Sequence, residues 1–101
     1  MKYTKVLILY SLIFLINTSY SQTINGEITN QKEVIPFAVV MLKGTKHIVQ
    51  SNEKGYFELI NITNCDYQLV IKNTGYKYYE KSITVENEIL TLQIQLAEDK
   101  S

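Results

Sequence analysis

From residue 23 onward apolar and polar positions alternate, and no stretch there repeats with helical spacing. Ile24, Gly26 and Ile28 share one face, with Thr23, Asn25, Glu27 and Thr29 on the other. That period of two marks a strand with one side buried. Asn30 to Glu33 reads as a polar turn. Pro36 pushes Ile35 towards extended backbone and opens the next element. Phe37 to Leu42 is apolar throughout, as expected of a strand covered on both faces, and ends at Lys43. Gly44-Thr45 breaks the chain, His47 to Gln50 forms a short strand, and Ser51-Asn52-Glu53-Lys54-Gly55 is a strong turn signal. Phe57 and Leu59 alternate with Tyr56 and Glu58 in a fourth strand, and Asn61 to Asp66 is a further turn.

Tyr67, Leu69 and Ile71 then share a face opposite Gln68, Val70 and Lys72, and Asn73-Thr74-Gly75 turns the chain again. Tyr76 to Val85 is aromatic and β-branched, hence strand-like. After Glu86-Asn87-Glu88, the residues Leu90, Leu92, Ile94 and Leu96 alternate with Thr91, Gln93 and Gln95, the clearest such pattern in the chain. Seven short strands with frequent turn signals predict an all-β protein with two sheets packed face to face. Each apolar face removed from water contributes about 25 cal/mol per Å². The register places Phe57, Leu59, Leu69, Ile71, Leu92 and Ile94 in the core, opposed by Ala38, Val40 and Leu42.

The first 21 residues do not fit this scheme. Lys2 and Lys5 form a positive head, Val6 to Ile16 is apolar apart from Tyr10 and Ser11, and Ser19-Tyr20-Ser21 is a small-residue exit. Head, core and exit in that order predict a cleavable secretory signal over 1–21, with the mature domain over 22–101. The apolar core is too short for the ~20 residues of a membrane-spanning helix. From Gln22 onward there is no arginine, and eight lysines face ten acidic residues, a net charge of −2. Such a surface has no basic patch for phosphates, which argues against nucleic acid as a partner.

Candidate chemistry is sparse. One histidine, His47, has no recognisable co-ligands, so it reads as a surface or turn residue. Cys65, the lone cysteine, is open to three readings: a packed small hydrophobe, an exposed thiol, or half of an intermolecular bridge. The packed or half-buried thiol is the preferred one. The carboxylate pairs Glu86 with Glu88 and Glu98 with Asp99 fall in turn or tail segments. The sequence therefore predicts no catalytic residues, no metal and no cofactor. Tyrosine is the unusual feature, with Tyr76, Tyr78 and Tyr79 clustered and Tyr56 and Tyr67 elsewhere in strands. An apolar body with a polar tip suits partner contact or sugar stacking. The alternation directs Tyr78 and Tyr79 to opposite faces.

Four segments in order resemble the carboxypeptidase-regulatory-like domain. They are Ile24-Asn25-Gly26-Glu27-Ile28 with its inward glycine; Pro36 followed by aliphatics and Gly44-Thr45; Ser51 to Leu59 around Gly55 and Phe57; and Tyr67-Gln68-Leu69 followed by Gly75-Tyr76. The resemblance implies a prealbumin-like, seven-stranded antiparallel sandwich with Greek-key connections. It makes Gly26, Pro36, Gly44, Gly55, Phe57, Tyr67, Gly75 and Tyr76 its structural positions. The family's turn often carries acids, where this chain has Asn52 and Lys54, and Glu53 alone does not make a calcium site. In the family the domain stands at the N-terminus of many TonB-dependent outer-membrane receptors. That implies an exported, non-enzymatic accessory module in the periplasm or on the periplasmic face of the outer membrane of a Gram-negative bacterium. Its partner would be protein, either a receptor plug or a periplasmic protein. The alternative reading is a carbohydrate- or peptide-binding sandwich. The contacts expected are Tyr76, Tyr78 and Tyr79.

Overall fold

A computed structural model describes residues 22–86 and 88–100. The secretory signal assigned to 1–21, and its boundary, lie outside the described residues. Seven strands follow in order: β1 (Gln22–Thr29), β2 (Val39–Leu42), β3 (Ile48–Gln50), β4 (Tyr56–Ile62), β5 (Cys65–Lys72), β6 (Tyr79–Val85) and β7 (Ile89–Gln95). They form a three-stranded sheet, β4-β1-β7, and a four-stranded sheet, β3-β2-β5-β6. The expected two-sheet sandwich is therefore present.

Its core is the set of inward faces read from the alternation. Ile24, Ile28, Ala38, Val40, Leu42, Leu69 and Ile71 are fully buried, and Phe57, Leu59 and Ile94 nearly so. Gly26 lies between two strands, opposite Phe57 on β4 and Leu92 on β7. A Cβ there would stand 2.5 Å from the Leu92 carbonyl oxygen and 2.9 Å from the Phe57 ring. The glycine thus gives the largest core side chain its space.

Several expectations need correction. The pairing is not antiparallel throughout, because β1 and β7 run parallel from Thr23↔Ile89 to Thr29↔Gln95. No hairpin joins these two strands. The five intervening strands serve as their connection, so nothing local forces them to run opposite ways. The apolar run from Phe37 is not one strand covered on both faces. Pro36 and Phe37 form a turn, Phe37 is 57% exposed with φ of 60°, and β2 starts at Val39. Ser51 secures this turn. Its buried hydroxyl accepts from the Ala38 amide and donates to the Ile35 carbonyl, each at 2.9 Å.

The turn expected over Asn61 to Asp66 shrinks to two residues, since β4 reaches Ile62 and β5 begins at Cys65. Asn61 has φ of 58° and sits at a register shift, with Ile24 opposite Leu59 but Gln22 opposite Ile62. An extra residue in one strand bends the ladder and returns Ile62 to the core. Asparagine tolerates this left-handed backbone, so the signal read as a turn marks a bulge instead. The strand expected from Tyr76 is shorter, with β6 beginning at Tyr79. Tyr76 forms an isolated bridge with Glu98 instead. Cys65 is exposed, which overturns the packed-thiol preference.

Candidate functional site

The outward face of the four-stranded sheet carries more apolar surface than a solvated face requires. Val39 and Met41 on β2 are half-buried, Ile48 on β3 is 58% exposed, and Val70 on β5 is buried although it points away from the core. Met41 and Glu80 flank Val70 in register. Lys43 bridges to Glu80 at 3.5 Å over the same region. At one end of this face lies an open groove of about 550 Å³, lined by Phe37, Val39, Lys72, Asn73, Thr74, Tyr76 and Tyr78.

Two exposed aromatics border the groove. Phe37 is held outward by a left-handed backbone that costs a bulky residue about 1–3 kcal/mol. Hydrogen bonds on both sides maintain the conformation: the Phe37 amide donates to the Ser51 carbonyl at 2.9 Å, and the Ser51 amide donates to the Ala38 carbonyl at 2.9 Å. Tyr78, 56% exposed, has the Lys72 ammonium 5.8 Å from its ring centroid. Partial loss of solvent raises the pKa of its hydroxyl, and a hydrogen bond from that hydroxyl to Glu80 and the Glu80 charge act in the same sense against Lys43.

The three expected tyrosines divide. Tyr76 and Tyr78 both line the groove. Tyr76 is also packed against the core, and its hydroxyl accepts a 2.8 Å hydrogen bond from the Asn30 amide group. Tyr79 turns the other way and packs against the core, where burial raises its hydroxyl pKa. Tyr67 stands at the core margin and donates to the Thr63 carbonyl at 2.8 Å. Pro36 is exposed beside Phe37, and Gly44 and Gly75 occupy turns with φ of 78° and 87°. Gly55, at φ of 75°, packs so tightly that a Cβ would stand 2.7 Å from the Ile28 carbonyl oxygen.

Sequence reasoning missed Phe37, Val39 and Lys72 as groove residues. The apolar run makes Phe37 the first residue of a strand, and the one signal of its turn is its place directly after proline. His47 lies in the turn before β3, where its amide donates to the Thr45 hydroxyl. Among the described residues no three His, Cys, Asp or Glu side chains are grouped to hold a metal ion, and no helix is long and apolar enough to cross a membrane.

Fold and surface together define a β-sandwich that presents an aromatic-edged groove on one sheet. The chain belongs to the CarboxypepD_reg-like domain family, whose model matches residues 24–101. No curated protein sequence matches it. Among solved structures it is similar to a chain in two mutants of a type II cohesin–X-dockerin complex from Acetivibrio cellulolyticus. These share 18% and 19% identity, with TM-scores of 0.66 and 0.68, and cover 74% and 76% of this chain. A DUF3823 family protein from Parabacteroides merdae shares 14% identity at a TM-score of 0.54 over 80% of the chain. The chain spans 56%, 58% and 48% of those three structures' chains, and at such identities the likeness is one of fold.

Proposed function

We propose that this domain is a non-catalytic interaction module that works outside the cytoplasm and takes its partner on the outward face of the four-stranded sheet. The observation that carries this reading is the display of Phe37 and Tyr78 at the groove, with one of them held out by strained backbone. Exposed aromatics beside a concavity concentrate binding energy, and strain persists where the surroundings enforce it. Family membership supports an accessory role. In the wider context we propose, the domain precedes a TonB-dependent receptor in a Gram-negative outer membrane, and its partner is the receptor plug or a periplasmic protein.

The test is capture from periplasmic and outer-membrane extract with wild type, Phe37→Gly, Tyr78→Ala and Tyr79→Ala. Phe37→Gly removes the ring while relieving the left-handed backbone, so capture should fall with no loss of folded protein. Tyr78→Ala should also lower capture, whereas Tyr79→Ala should act through stability alone. Equal capture by all four folded proteins would remove the groove from the reading. A second reading, a carbohydrate ligand, is favoured by Asn73 and Thr74 lying beside the two aromatic rings. Titration with glycans, followed by tyrosine fluorescence, separates the two.

A further inference from the structure

The groove on the four-stranded sheet is positive, on a chain that from Gln22 onward is net negative. Of the residues lining it, only Lys72 carries a charge. Lys72 is exposed at the end of β5 and makes no ion pair among the described residues. Glu80, the acid on the adjacent strand, is engaged elsewhere. It accepts a hydrogen bond from the Tyr78 hydroxyl and pairs with Lys43 at 3.5 Å. The Lys72 ammonium lies instead 5.8 Å from the centre of the Tyr78 ring. A cation over a ring face is held in place there without losing its charge.

The turn that follows Lys72 adds donors. It is closed by the Tyr76 amide, which donates to the Asn73 carbonyl at 3.1 Å. Among the described residues the Asn73 carboxamide, the Thr74 hydroxyl and the Thr74 amide make no hydrogen bond. This end of the groove therefore combines an ammonium with N–H and O–H donors and holds no acid. An ionised carboxylate accepts only, through two oxygens, and bonds of this kind are the stronger for its charge. The apolar end begins directly beside it. Val39 faces Lys72 across the β2–β5 pairing, with the exposed Phe37 ring next to it. Adjacent strands stand about 4.8 Å apart, so charge and carbon adjoin within one side chain's reach.

We infer that the groove takes an extended protein segment with an aspartate or glutamate two residues from a large apolar side chain. Residues two apart lie on the same side of an extended chain. The carboxylate then meets Lys72 and the Asn73–Thr74 turn, while the apolar side chain rests on Phe37 and Val39. A neutral sugar gains nothing from the ammonium, and one face of the Tyr78 ring is already covered by it. The inference rests on the proposed role of the groove as the partner site and adds the chemistry that site selects. Lys72 is exposed, so its charge sets orientation and choice of partner more than affinity.

Three capped octapeptides test it on the purified protein. They are built of serine and threonine with one leucine, and carry glutamate, glutamine or lysine two positions from it. Binding is followed by amide shifts at Phe37 and from Lys72 to Tyr78. The glutamate peptide should bind about threefold more tightly than the glutamine one, the size of effect one exposed ion pair supplies. That preference should vanish in about 0.5 M salt and in Lys72→Gln, persist in Lys72→Arg, and reverse towards the lysine peptide in Lys72→Glu. Equal binding of all three peptides would overturn the inference. So would a preference that survives Lys72→Gln, shifts that fall outside the groove, or shifts produced by neutral glycans and by no peptide. If the peptides bind alike while Phe37→Gly and Tyr78→Ala still lower capture from extract, the groove remains the partner site and only its choice of an acidic segment is refuted.

Discussion

At the scale of single residues, the domain's stability rests on a few positions with little tolerance. Phe57 is 2% exposed and packs under Gly26, whereas its neighbour Glu58 points to solvent. Phe57→Ala should cost about 3–5 kcal/mol, through lost burial and the cavity left behind. Glu58→Ala should change stability little. Chemical denaturation of the two variants checks this, and equal losses would contradict the register. Tyr79 makes a different point. Burial raises its hydroxyl pKa in the folded state above the ordinary value of 10.0. Above pH 10 the unfolded chain therefore releases this proton first, so stability present below that pH falls as pH rises through the folded value. Tyr79→Phe should flatten the alkaline limb of a stability-against-pH curve, as followed by chemical denaturation at a series of pH values, and an unchanged limb would contradict this.

At the scale of elements, strand existence and facing were legible, and strand ends were not. The alternation of Leu90 to Leu96 and of Ile24 to Ile28 placed β7 and β1 with the correct residues inward, because a period of two leaves one buried solution. Phe37 and Asn61 defeated the same reasoning. Both adopt left-handed backbone that tertiary contacts impose, the first through Ser51 thirteen or more residues away and the second through the bulge against β1. Of the groove, Tyr76 and Tyr78 were visible as an aromatic cluster. Lys72 and Val39 were not, because only the β2–β5 pairing brings them side by side. At Gly26 the structure leaves no room for a Cβ. Gly26→Ala should destabilise the domain severely, because the clash is with backbone on β7 as well as with the Phe57 ring. Combining it with Phe57→Leu should recover only part of the loss, measured by thermal melting, since the Leu92 carbonyl remains in place.

At the scale of the whole molecule, context decides how the sandwich is used. Export is a proposal that rests on the residues before Gln22. Mass spectrometry of the protein from the periplasmic or membrane fraction should find its N-terminus at or beside Gln22, and an intact 1–21 segment on exported material would refute it. The parallel pairing of β1 with β7 has a mechanical consequence. Because the two strands run the same way, the start of β1 and the end of β7 lie at opposite ends of one ladder, on the order of 20 Å apart at ~3.3 Å per residue. Tension applied between those two points would load every β1–β7 hydrogen bond at once, in shear, instead of peeling them one after another. Resistance to pulling is set by the unfolding rate rather than by equilibrium stability. A small sandwich with no disulfide in its described residues can therefore transmit tension between whatever is attached before β1 and after β7, independently of its equilibrium stability.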